Sequence, residues 1–212
     1  MKHFEAEPDS AQRIFGPSID KARAYAQALA NDSDELGLLG PRELDKLWSR
    51  HILNSAVVSE LIRSGERVAD VGSGAGLPGI PMAIAKPDAK FVLIEPMERR
   101  SSWLQKIVTE LDLNNVEVIR ARAEEVQLSD FDVVTARAVA ALEKLLKLCV
   151  PLLHPGGRLI ALKGSKAVEE IEDAKRLQKK LKIASFKLLI CGEEFLSEPT
   201  SVVETRLDSS GE

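Results

Sequence analysis

Val68-Ala69-Asp70-Val71-Gly72-Ser73-Gly74-Ala75-Gly76-Leu77-Pro78-Gly79 is the stretch whose reading decides the fold of this chain. A short apolar run, typical of a buried strand, passes into a glycine-rich turn that opens a helix-forming segment. Glycines suit such a turn because the backbone must bend tightly and a ligand must approach main-chain atoms that a β-carbon would screen. The loop therefore reads as a cradle for a nucleoside cofactor.

Outward from the loop, β-rich runs alternate with helix-periodic ones as far as Arg206, the pattern of crossover units in a mostly parallel sheet. Strands are predicted at 67–71, 91–95, 116–121, 131–136, 158–163, 186–191 and 201–207. Helices are predicted at 79–85, 98–111, 141–153 and 167–181, covering both faces. Ahead of this core, 18–31 and 41–62 read as helices, with Ser18 as an N-cap and Pro41 as a first-turn proline. The fold class is α/β and Rossmann-like. An N-terminal helical extension over 1–64, serving as a lid or flank, is expected before a core over 65–208 and a polar tail over 209–212.

Two cofactor classes compete for the loop. Gly74, Gly76 and Gly79 satisfy the dinucleotide pattern G-x-G-x-x-G. Read from Gly72, however, the pattern puts Leu77 where a third glycine belongs. A carboxylate at Asp70 would repel a pyrophosphate but suits the ammonium and sulfonium of S-adenosylmethionine. Gly72 and Gly74 are thus expected at that cofactor, with Glu95, at the end of the second strand, accepting from the ribose hydroxyls. Arg122-Ala123-Glu124-Glu125, after the third strand, offers a backbone amide and a carboxylate for the adenine edge, or a first-turn acid for a helix dipole. Arg137 closes the fourth strand and Lys163 the fifth, at the end where ligands of parallel sheets gather.

The chain has 212 residues, 44% of them hydrophobic, enough for one sizeable core. No run approaches the roughly 18 to 20 apolar residues of a membrane span, and the first 30 residues carry charge throughout, so a soluble, cytoplasmic protein without membrane contact is expected. Cys149 and Cys191 sit in apolar runs and read as buried thiols, with neither disulfide nor metal site indicated. A net charge of -4 excludes a protein that coats nucleic acid by charge alone, so any RNA must meet a local basic face. Residues 158–187 carry nine Lys/Arg against four acids, a run that is such a face or simply a solvated helix surface.

Together these segments resemble the RsmG family, also called GidB or glucose-inhibited division protein B, the ribosomal RNA small-subunit methyltransferases that modify guanine N7. The resemblance is carried by Arg50-His51-Ile52-Leu53-Asn54-Ser55, Asp70 through Pro81, Glu95 with Arg99-Arg100, Arg122-Ala123-Glu124, Arg137-Ala138-Val139-Ala140 and Ala161-Leu162-Lys163-Gly164. It implies a class I methyltransferase fold, S-adenosylmethionine as cofactor, and 16S rRNA of the small subunit as acceptor. It further implies that Gly72, Leu77, Ala123, Glu124 and Arg137 line the cofactor pocket. Arg99, Arg100 and Lys163 are the cations expected to hold RNA; His51 is a further candidate, against the reading of a helix-packing histidine. Two positions depart from the family's pattern. Gly37 to Glu43 replace an Asn-Leu-Thr motif, and Asn54 stands where an aspartate is usual. Guanine N7 attacks through a free lone pair, so no general base is expected, and the enzyme is expected to act as a monomer. A methyltransferase acting on a small molecule or protein, and a nucleotide-binding interaction module, remain open at this point.

Overall fold

The computed structural model describes residues 3–40 and 42–209. Pro41 and residues 210–212 of the tail therefore lie outside the described residues. Among the described residues seven strands form one sheet in the order β3-β2-β1-β4-β5-β7-β6. They are β1 (Arg67–Val71), β2 (Lys90–Ile94), β3 (Val116–Ile119), β4 (Phe131–Arg137), β5 (Leu153–Leu162), β6 (Ile183–Cys191) and β7 (Thr200–Leu207). The first five are parallel, and β7 runs antiparallel between β5 and β6. Strand order reverses direction at β1, so the crevice beyond the carboxyl ends of β1 and β4 is the topological switch point, where open α/β sheets bind ligands.

Helices α4 (Gly79–Ala85), α5 (Glu98–Glu110), α6 (Leu142–Cys149) and α7 (Ala167–Ala174) fill the crossovers and the β5–β6 connection. The predicted helix over 141–153 stops early because Pro151 tightens Val150–Leu152 into a 3-10 turn and Leu153 already belongs to β5. The one over 167–181 ends at Ala174 and continues only as the 3-10 turn Lys175–Leu177. Alternation along each strand divides the core. Ala69, Val71, Val134, Ala136, Leu159 and Ala161 pack toward α6 and α7, while Val68, Val133 and Ile160 pack toward α4 and Val57–Val58.

The N-terminal region departs most from expectation. A helix unforeseen in the sequence, α1 (Ser10–Phe15), precedes α2 (Ile19–Leu36), which runs past its predicted end until Gly37 stops it in the left-handed conformation. Ser18 holds the N-cap position, but its hydroxyl caps nothing. The predicted helix over 41–62 is a succession of short pieces: a 3-10 turn Leu44–Lys46, a π-helical run Leu47–Leu53, α3 (Asn54–Ala56) and a 3-10 stretch Val57–Leu61. The cause is that side chains claim the carbonyls a regular helix would use. Arg137 takes those of Arg50 and His51, the Ser55 hydroxyl also donates to His51, and Thr200 donates to Asn54. These segments share an apolar cluster with Ala75, Leu77, Ile80, Trp103 and Leu104, which seats them on the glycine loop and α5.

Candidate active site

The loop between β1 and α4 is held from beneath. Gly72 and Gly74 adopt φ of 71° and 57°, a backbone that side-chain-bearing residues rarely take. Gly79 is glycine for space: a β-carbon there would lie 2.6 Å from Asp70 Oδ2 and 2.4 Å from Leu93. Asp70 corrects an expectation. Its side chain is fully buried under the loop, where Oδ2 accepts from the Gly79 amide at 3.1 Å, and it faces no ligand space. Burial pushes its pKa up to about 7. From the other side, the Tyr25 hydroxyl of α2 donates to the Ala75 carbonyl at 2.6 Å.

A cavity of about 450 Å³ opens above the loop. It brings together Gly72, Gly74, Leu77, Glu95 and Arg137, all expected at the cofactor, and adds Leu38, Met97 and Val139 as apolar wall. Glu95 is 3% exposed; one oxygen accepts from the Gly74 amide at 2.8 Å and the other from the Met97 amide at 2.9 Å. Each oxygen keeps a second lone pair, so two hydroxyls on adjacent carbons could be accepted there.

The cations fall differently from expectation. Arg100 lines this cavity: NH2 donates to the Gly37 carbonyl at 3.1 Å, NH1 lies 3.9 Å from a β-carbon built at Gly74, and the buried Nε has no partner. Its neighbour Arg99 is exposed outside it. His51 is 7% exposed and lines the same cavity. Arg137 donates to its Nδ1 at 3.0 Å, which leaves Nε2–H to donate to Glu43 at 2.6 Å. Burial, then the Arg137 charge, holds the His51 pKa below its ordinary value, and the bond from His51 holds Glu43 low. Arg137 also donates to Ser55 Oγ at 3.0 Å, so its guanidinium fastens the π-helical run to β4. Lys163 is the plainest correction. Its side chain is 7% exposed, and Nζ donates to Glu170 and to the Ala140 carbonyl, each at 2.7 Å. It therefore offers no free charge to a phosphate.

Ala123 and Glu124 stand apart from the main cavity, on the 3-10 turn Ala123–Glu125 after β3, with Glu124 exposed. They adjoin a smaller cavity of about 380 Å³, whose walls include Arg122, Glu125 and two residues shared with the first, Pro96 and Met97. Among the described residues no cluster of His, Cys, Asp and Glu is arranged to hold a metal, and no helix is long and apolar enough to cross a membrane.

The fold is shared widely. A methyltransferase from Pyrococcus furiosus superposes with a TM-score of 0.61 at 18% identity, over 89% of this chain and 99% of that one. The TYW2 protein of M. jannaschii, solved in complex with AdoMet, gives 0.60 at 23% identity over 75% and 76%. Sequence relatives are far nearer. The ribosomal RNA small subunit methyltransferase G of Paenarthrobacter aurescens is 50% identical over 207 residues, 97% of this chain and 96% of that one. The protein of the same name from Mycolicibacterium gilvum is 50% identical over 96% and 92%. The sequence model of the GidB family, rRNA small subunit methyltransferase G, matches residues 18–198. The chain belongs to this family.

Within the family's chain as it stands here, sequence reasoning passed over Tyr25, Glu43 and Ser55. Strand alternation was a signal for part of this. Arg137 shares its face with Val133 and Thr135, toward the N-terminal helices, whereas Lys163 shares its face with Leu159 and Ala161, toward α7 and Glu170.

Proposed function

We propose that this protein transfers the methyl group of S-adenosylmethionine to guanine N7 in 16S rRNA of the small ribosomal subunit. The observation that carries the reading is the cavity itself: a buried, twice-braced carboxylate at Glu95, an incompletely bonded cation at Arg100 and open main chain at Gly72 and Gly74 line one space. A ribose diol, an amino-acid carboxylate and a close-lying thioether chain are the chemical complements of those three features. Leu77 and Met97 would supply apolar wall, and the Ala123 amide and Glu124, on the turn after β3, would meet the base edge. Bound there, the cofactor would supply an electrophilic methyl to the N7 lone pair, with sulfur as the leaving group taking the C–S electron pair and the base taking up the positive charge. The protein's part is alignment at near-attack distance. No proton leaves in that step, so no residue has to remove one.

Purified enzyme, methyl-labelled cofactor, and small subunits, naked 16S RNA, transfer RNA and protein extract offered in parallel test this reading. Label in the small-subunit RNA, recovered as 7-methylguanosine after digestion, is the expected result. Label confined to protein, small molecules or another base would overturn it.

A further inference from the structure

Arg137 lines both the cavity above the glycine loop and a neighbouring one of about 710 Å³ at the carboxyl ends of β4 and β5. Ala138 and Val139 are shared as well, but of the three only Arg137 carries a charge. Its guanidinium makes no salt bridge among the described residues, and its bonds go to neutral acceptors alone. Building on the function proposed above, we propose that Glu43 is a positioning residue for methyl transfer, acting through His51 to fix where Arg137 stands between the two cavities.

A guanidinium has five N–H groups and accepts no hydrogen bond. One terminal nitrogen of Arg137 donates to the His51 carbonyl at 3.2 Å and to Ser55 Oγ at 3.0 Å; the other donates to the Arg50 carbonyl at 2.9 Å and to His51 Nδ1 at 3.0 Å. Two carbonyls and a hydroxyl can always accept. His51 Nδ1 accepts only while it is bare, and a proton there would set N–H against N–H. The opposite ring nitrogen keeps it bare. Nε2 stands 2.6 Å from Glu43 Oε2, and an ionised carboxylate only accepts, so the ring proton belongs on Nε2. The bond from His51 holds the Glu43 pKa low, which keeps that carboxylate ionised. Glu43 and Arg137 thus require the same tautomer from two edges of one ring.

Glu43 is itself held in place. Its amide donates to the Gly40 carbonyl at 3.0 Å, and its carbonyl accepts from the Lys46 amide at 3.1 Å. The same Oε2 lies 3.8 Å from Arg50, but that arginine is 59% exposed along its side chain, and such surface pairs contribute little. The His51 side chain, by contrast, is 9% exposed, so water does not readily replace either of its partners.

The wild type can be read directly by nitrogen-15 spectroscopy of its three histidines, with His51 assigned by the signals missing from His51→Asn. Near neutral pH, His51 should show a protonated Nε2 and a bare Nδ1. Single-turnover methylation by Glu43→Leu should fall by about 10- to 100-fold, the scale on which losing the outer partner of a ligating histidine lowers activity at metal sites. Glu43→Gln, whose amide oxygen still accepts from Nε2–H, should recover most of that rate. In His51→Asn an amide oxygen takes the place of Nδ1 and needs no carboxylate to keep it an acceptor, so adding Glu43→Leu to that variant should cost nothing further. A wild-type His51 protonated on Nδ1, or equal losses from Glu43→Leu with and without His51→Asn, would overturn the role of Glu43. A wild-type enzyme that labels no RNA would instead overturn the proposed function, while the tautomer is measured without RNA.

Discussion

Two walls of the cofactor cavity are made by opposite means. The glycine loop is fixed by packing and by buried partners of its own strand and helix: Asp70 under Gly79, Glu95 on Gly74, Tyr25 on Ala75. The opposing side is backed by residues 44–61, of which His51 lines the cavity, a succession of short helical pieces whose spare carbonyls are gathered by one side chain from another element, Arg137. A backbone that satisfies itself tolerates the loss of a neighbour; one that borrows its donors does not. The lesson is that the N-terminal wall is as much a product of β4 as of its own sequence.

The largest expected effect tests that dependence. Arg137→Ala strips donors from Arg50 O, His51 O, Ser55 Oγ and His51 Nδ1, and should cost about 3 kcal/mol of unfolding free energy, the scale of leaving buried polar groups unpaired. Protease cleavage within 44–61 should accelerate, and Arg137→Lys should rescue little, because an ammonium cannot reproduce the planar fork. Urea unfolding and cleavage rates equal to wild type would show that the wall stands by itself.

A smaller effect separates adjacent arginines. Arg100→Ala should weaken cofactor binding by about 1 to 2 kcal/mol, the worth of a charge-assisted hydrogen bond. Arg99→Ala should leave that affinity alone and, if Arg99 meets phosphate, lower the salt slope of RNA binding by about one. Calorimetry with both variants checks the pair; equal cofactor losses would put Arg99 in the cavity too.

A pH-dependent effect, distinct from both of these, lies under the rigid wall. Asp70 has a folded pKa of about 7, raised by burial, against about 4 in an unfolded chain. Protonation therefore favours the folded state, so its stabilisation is complete below about pH 4 and is lost as pH rises through 7. Asp70→Asn should gain on the wild type across that interval and hold a constant difference above it, in urea titrations from pH 4 to 8.5; parallel curves would remove the titration from this site. Single-turnover methylation should otherwise be flat from roughly pH 6 to 9, a window that spans an unperturbed histidine. An inflection that survives in Asp70→Asn would place a titrating base at the acceptor.

The sheet was readable because each of its strands is a compact apolar run set off by turn residues, and β1 and α4 fall where the sequence puts them. The loop and Glu95 were readable because their positions follow from strand ends alone. What escaped was fixed by contacts between distant segments. Nothing near Asp70 announces that its carboxylate turns inward to Gly79, and nothing near Leu47–Leu53 announces that its carbonyls go to β4. Arg99 and Arg100 look alike as a dipeptide, yet the turn of α5 gives them different surroundings. Lys163 was misread for another reason: it was judged by the end of its strand, when the face of its strand decides its partner.

The antiparallel insertion of β7 has a consequence for how the chain comes into being. During synthesis β6 emerges before β7, yet in the finished sheet β7 separates it from β5. Until β7 arrives, β6 has no neighbour to pair with, and the cavity of about 710 Å³ at the carboxyl ends of β4 and β5 lacks Thr200 and Ser201, along with the bond from Thr200 to Asn54. The glycine loop, Glu95 and Arg100 are all translated well before that moment. The residues lining the cavity above the glycine loop are thus all synthesised before β7.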